Sequence, residues 1–284
     1  MSHLISSTFY QSTKRLAGEP GHTLQSCPRD EHSLMPDILY FGDTTLTTAA
    51  AYLAGVLHKS GWSYHYTPSD LAAQASLFQS PARVYILSDY MSGQLPRPLQ
   101  RELVEHVAAG AGLLMIGGWE SYHGMGGDWD GTPVAEILPV EIGPVDDRTN
   151  CDHPAFVQAI DESHPITRGL PWGTRPPLIG GYNRITARPG ATQLLQVARF
   201  SATRTGCTYS LTPGPTDPLL LISTHGRGRV AALTTDVAPH WVGPWVDWGP
   251  ERVKAQGPGA GEVEVGNLYA QFLQQLVGWT GGWL

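Results

Sequence analysis

Arg83-Val-Tyr-Ile-Leu-Ser-Asp89 and Gly112-Leu-Leu-Met-Ile-Gly-Gly118 are two continuous apolar runs, each stopped by a turn residue. Between them, residues 96–109 place Leu99, Leu103, Val104 and Val107 on one face of a helix, which Gly110 and Gly112 end. Strands that are apolar on both faces and alternate with amphipathic helices belong to a parallel sheet covered on both sides. The same rhythm extends towards the N-terminus. Asp37-Ile-Leu-Tyr-Phe41 reads as a strand closed by Gly42, and residues 45–58 as a helix carrying Leu46, Ala50, Leu53 and Leu57. Residues 62–66 read as a strand with Trp62, Tyr64 and Tyr66 alternating, followed by a short helix over 71–78.

Beyond Gly118 the pattern changes. Residues 119–182 are dense in Gly, Pro and Trp, and read as a loop-rich insertion over the sheet. Strand-like runs return at 184–187, 192–198, 219–223 and 230–234, the last two joined by His225-Gly-Arg-Gly228 as an antiparallel hairpin extension. A helix over 263–279 closes the domain with Val265, Leu268, Phe272, Leu276 and Trp279 on one side. Residues 1–34 are polar and aperiodic, an extension in front of a domain spanning 35–284.

With 284 residues the chain is long enough for one large α/β unit, and 41% hydrophobic against 15% charged residues excludes a disordered or coiled-coil protein. The net charge of −7 repels nucleic acid and anionic membranes. Cys27, Cys151 and Cys207 form no CxxC pair, so neither a disulfide framework nor a zinc finger is indicated. No apolar run reaches the ~18 residues of a membrane span. These features predict a soluble cytoplasmic protein.

Ligands of an open parallel sheet bind beyond the carboxyl ends of its strands, which points to Gly42-Asp43-Thr44, Asp89-Tyr90, residues 117–124 and residues 236–241. Gly117-Gly-Trp-Glu-Ser-Tyr-His-Gly124 offers an acid, a hydroxyl, an imidazole and two aromatic rings on one tight turn. Ser121 could act as a nucleophile, with His240 or His123 as base and Glu120 or Asp236 orienting the ring. The competing reading has Ser121 bonded to the turn backbone and Glu120 capping a neighbouring N–H. His123, Asp236 and His240 are adequate metal ligands by type, but no HxH or HExxH spacing is present and no metal is predicted. His153 and His164 each precede a proline and are read as loop-shaping, and the arginines of Gly226-Arg-Gly-Arg229 either bind phosphate or are solvated.

Trp119, Tyr122, Trp129, Trp241, Trp245 and Trp248 form two aromatic groups beside these polar segments. Such rings either present a face to a sugar or pack the loops together. The catalytic candidates are therefore Glu120, Ser121 and His240, and the ligand-binding candidates Asp89, Trp119, His123, Asp236 and Trp241. No cofactor is predicted. A small polar molecule is the expected partner, and a homo-oligomer is open.

Gly112-Leu-Leu-Met-Ile-Gly-Gly118, Thr132-Pro-Val-Ala-Glu-Ile-Leu-Pro139, His164-Pro-Ile-Thr-Arg-Gly-Leu170, Gly226-Arg-Gly-Arg-Val230 and Thr235-Asp-Val-Ala-Pro-His-Trp241 occur in an order that resembles the class I glutamine amidotransferase-like superfamily, in particular its putative glutamine amidotransferase branch. The resemblance implies a three-layer α/β sandwich with a flavodoxin-like parallel sheet, and a nucleophile elbow after Ile116. Glutamine hydrolysis in that superfamily uses an elbow Cys and a C-terminal His-x-Glu pair. Here the elbow has no thiol, and Val242 stands where the Glu would follow His240. Without a thiolate the thioester step has no nucleophile, so ordinary glutaminase activity is not expected. The alternatives are a non-catalytic binding module for a small molecule or carbohydrate, and an interaction subunit using exposed Trp loops.

Overall fold

The computed structural model describes residues 36–284; the N-terminal extension and Cys27 lie outside the described residues. The elements run β1 (Ile38–Gly42), α1 (Ala50–Lys59), β2 (Tyr64–Thr67), β3 (Val84–Ser88), α2 (Arg97–Ala108) and β4 (Gly112–Ile116). They continue with α3 (Pro133–Ile137), β5 (Val140–Glu141), β6 (Arg148–Ala159), β7 (Leu178–Asn183), β8 (Thr186–Ala187), β9 (Thr192–Thr205), β10 (Thr208–His225) and β11 (Gly228–Leu233). The chain closes through α4 (Pro239–Val242), β12 (Arg252–Ala255), β13 (Val263–Gly266) and α5 (Asn267–Thr280).

Nine strands form one mixed sheet in the order β2-β1-β3-β4-β11-β10-β9-β6-β7. The first five are mutually parallel, and β10, β9, β6 and β7 continue antiparallel. The apolar runs that signalled this sheet are buried on both faces because successive side chains point to opposite sides. Ile38, Tyr40, Ile86, Leu114 and Ile116 join α1 and α5 in one core, while Leu39, Phe41, Tyr85, Leu87, Leu113 and Met115 join α2 and α3 in the other. The protein is thus an α/β sandwich around a large mixed sheet.

Four expectations need correction. Residues 119–182 are not only loops: they contain α3 and the strands β6 and β7 of the main sheet. Pro154 disguised β6, since proline cannot donate to a ladder; it sits where the β6–β7 register is interrupted between Asn150 and Ala155. The helix expected over 71–78 shrinks to a 3₁₀ turn, Ala75–Phe78. The closing helix starts at Asn267, because Val263 and Val265 alternate in β13 instead. Finally, β9 and β10 extend well beyond 192–198 and 219–223.

Candidate functional site

Register brings the strand ends together. Gly42 pairs with Ser88, Ser88 with Ile116 and Ile116 with Leu233, so the residues that follow β1, β3, β4 and β11 emerge at one edge of the sheet. Asp43, Asp89, the turn 117–121 and Asp236 are those residues.

Asp43 and Asp89 both have left-handed backbones, with φ of 44° and 49°. This region is costly for a residue with a Cβ, and Asp is among the few that tolerate it. Such a backbone persists only where the surrounding structure holds it. Asp43 is buried; its Oδ2 accepts a hydrogen bond from the Tyr40 hydroxyl, and Tyr66 donates to its carbonyl at 2.7 Å. Its Oδ1 has no donor. The Asp89 carboxylate accepts from the Glu120 N–H, and its own N–H donates to Ser121 Oγ at 3.0 Å.

Asp236 is fully buried at the start of α4. Its Oδ1 accepts from the backbone N–H groups of Val237 and, at 2.9 Å, Ala238. On the other side His240 Nε2 lies 2.9 Å from Oδ2, a close but bent contact that leaves Oδ2 without an aligned hydrogen bond. The imidazole is half exposed, a solvent-reachable ring in front of a buried carboxylate.

Three carboxyl groups at one strand edge cannot all ionise freely. Burial, and then the charges of Asp236 and Asp89, push the Asp43 carboxyl well above the usual range, against the Tyr40 hydrogen bond. Asp89 is raised to about 7, first by burial and then by Asp236. The contact with Asp236 raises His240, outweighing the burial that would lower it. Asp43 and Asp89 therefore keep their protons to higher pH than a free carboxyl does.

Asn183 anchors the turn after β4. Its Oδ1 accepts from the Gly118 N–H at 3.0 Å, and its Nδ2 donates to Asp147 Oδ1 at 2.7 Å. Asp147 in turn accepts from His123 N at 2.9 Å. A Cβ on Gly118 would lie 2.5 Å from Asp89 Oδ1, so the turn and the carboxyl fit only because that residue has no side chain.

Of the residues singled out in the sequence, the structure gathers Asp89, Glu120, Ser121, Asp236 and His240 at this edge. Ser121 is buried, and its hydroxyl donates to Ile116 O at 2.6 Å while accepting from Asp89 N. Trp119 stands at the rim, 42% exposed, with the Arg148 guanidinium 4.9 Å from its ring centroid. His123 turns to Asp130, 2.8 Å from its Nδ1, and Trp241 packs over β7 with its indole N–H on Asn150 Oδ1.

Of the tryptophans expected on exposed loops, Trp119 is exposed but the others are not. Trp129, Trp245 and Trp248 are 5% exposed or less because their rings join the cores around α2 or α5, and Trp241 is 3% exposed because it packs over β7. Arg227 and Arg229 are taken up by the carbonyls of Ala109, Trp279 and Leu284, and His153 meets the Phe200 carbonyl. Sequence reasoning inspected the Gly42-Asp43 turn but did not select Asp43, and it missed Asn183 and Asp147. Asp43 carries the strand-end signal; Asn183 and Asp147 come from the segment whose strands were hidden.

Cys151 lies on β6 and Cys207 is exposed at the β9–β10 turn; neither follows β4. Among the described residues, no three His, Cys, Asp or Glu side chains are arranged to hold a metal ion, and no helix is long and apolar enough to cross a membrane.

The family model of the putative glutamine amidotransferases (GATase1_like) matches residues 38–252, and the chain belongs to that family. Its fold is similar to two Salmonella typhimurium structures, Cytoplasmic Protein STM1381 and Cytoplasmic Protein STM3548, with TM-scores of 0.66 and 0.63. Each is 22% identical and matches 86% of this chain and 98% of its own. A thuA-like protein from Parabacteroides merdae aligns over 86% of this chain and 89% of its own at 13% identity, with a TM-score of 0.53. At these identities the likeness is one of fold alone. No curated protein matches the chain.

Proposed function

We propose that this protein binds a small, neutral, hydroxyl-rich ligand, of the carbohydrate class, in the strand-end cleft of a flavodoxin-like sheet, and that it does not hydrolyse glutamine. The observation that supports the reading is the partly buried Asp89 carboxyl beside Glu120 and the half-exposed His240 ring, next to a turn with no thiol. Carboxyl groups accept hydrogen bonds from hydroxyls, and the rim indole of Trp119 supplies an apolar face beside Glu120. Carboxyls that hold their protons add no charge to the lining, which suits a neutral ligand. Ser121 serves as a brace between Ile116 and Asp89, and Glu120, Asp89 and His240 form the reachable lining. The chain acts in the cytoplasm.

Calorimetric titration with neutral monosaccharides should give saturable heat that Asp89→Ala abolishes. Ammonia release from glutamine should stay at the buffer rate. Glutamine turnover that His240→Ala removes would overturn the proposal.

The His240–Asp236 pair favours a second reading, in which the bound ligand undergoes proton transfer with His240 as the acid or base. Exchange of a carbon-bound proton of a bound sugar into deuterated water, lost in His240→Gln, would mark that activity. Its absence from a protein that still binds sugar leaves binding as the function.

A further inference from the structure

β9 and β10 leave the sheet as a free ribbon. The pairing of β9 with β6 ends at Ala198, and that of β10 with β11 ends at Leu220. The two strands nevertheless stay paired with each other to Thr205 and Thr208, rising past the edge where β11 ends. Residues 201–216 are exposed throughout. A two-stranded ribbon is marginal in water and usually needs something packed against it.

The register sorts the ribbon into two unlike faces. Opposed residues share a face in an antiparallel pair. Tyr209 opposes Arg204, Leu211 opposes Ala202 and Pro213 opposes Phe200, which gives one apolar face with a single charge. Thr208 with Thr205, Ser210 with Thr203 and Thr212 with Ser201 give a second face made only of hydroxyl residues. Tyr209 is 65% and Leu211 55% exposed, among the most exposed large apolar side chains of the described residues.

At its base the apolar face opens into a groove of about 190 Å³ lined by Phe156, Phe200, Leu211 and Pro213 together with Gln158 and Arg199. Knob and groove thus lie on one surface, so the face is complementary to a copy of itself across a two-fold axis. The charges agree with that pairing. Residues 200–216 contain no acid, and Arg204 stands near the tip. Near the base Asp152 is exposed beside His153, whose ring packs edge-on against Phe200. In an antiparallel pair about that axis, Arg204 near the tip of one copy would face Asp152 near the base of the other, and the two Arg204 side chains would stay apart.

We propose that the apolar face of this ribbon is the contact surface of a homodimer, and that its occupant is the ribbon of a second copy of this chain. The test is the mass of the full chain by sedimentation equilibrium between about 1 and 100 µM. Wild type should reach twice 30.7 kDa within that range. Tyr209→Ser with Leu211→Ser should remain monomeric at every concentration while circular dichroism stays that of the folded protein. Thr203→Arg with Ser210→Arg, on the hydroxyl face, should dimerise like wild type. A monomeric wild type, a larger assembly, or a Tyr209/Leu211 variant that dimerises unchanged would overturn the proposal.

Discussion

At Asp89 a left-handed backbone, a hydrogen bond from Glu120 and the charge of Asp236 act on one carboxyl group, and burial outweighs the hydrogen bond. The unfolded group titrates near ~3.9, whereas the folded one holds its proton to about 7. The folded state therefore binds more protons than the unfolded state between these values, and the stabilisation from that proton is present at low pH and lost as pH rises to about 7. Asp43, raised for the same reasons, acts in the same direction. Asp89→Asn removes the ionisation. Its melting temperature should match wild type near pH 4 and exceed it at pH 8 by several degrees, equivalent to ~2–4 kcal/mol. A difference that does not grow with pH would show that Asp89 ionises normally. His240 is raised chiefly by Asp236, so this pair stabilises fully below the unfolded value of ~6.5 and loses its effect as pH passes the raised one. In Asp236→Asn the His240 ring, followed by NMR, should titrate lower than in wild type.

Elements were legible in proportion to how local their signals are. β1, β3 and β4 could be read directly because each is buried on both faces, and α2 because Leu99, Leu103 and Val107 recur on one side. β6 could not, since Pro154 and Asp152 interrupt an alternation in which only Ala155 and Val157 are buried. The ribbon of β9 and β10 is polar on one face and holds Pro213, Gly214 and Pro215, so its strand character rests on pairing and not on composition. The tryptophans illustrate a different limit: sequence locates Trp245 beside Asp236 but cannot say which way the ring points. It packs 4.8 Å from the Phe272 ring on α5. Trp245→Ala should therefore cost ~3–5 kcal/mol of unfolding free energy in urea, as loss of a core aromatic does, and leave the molecular mass unchanged. The turn after β4 makes a sharper demand. Gly118→Ala should destabilise by ~1–3 kcal/mol, and Asp89→Ala should relieve part of that cost by removing the oxygen in its way.

For the molecule as a whole, the sheet order explains why the candidate site was partly visible from sequence. Asp89, Glu120, Asp236 and His240 follow strands that could be recognised, and the rule that ligands sit beyond strand ends selects them. What it could not supply was the register that places Asp43 with Asp89 and Asp236, or the Asn183 link that holds Gly118 from across the sheet. Nor could it show that the Ser121 hydroxyl is spent on Ile116 and Asp89. The strand-end edge has a family fold, no thiol after β4, and three neighbouring carboxyl groups. The most direct test is the melting temperature of the full chain and of Asp89→Ala against neutral monosaccharides and glutamine, with ammonia followed in parallel. At about ten times the dissociation constant, a bound sugar should stabilise wild type by ~1.4 kcal/mol, a rise of a few degrees, and leave Asp89→Ala unmoved. Glutamine should yield no ammonia. No shift with any sugar, together with ammonia released from glutamine, would contradict the account.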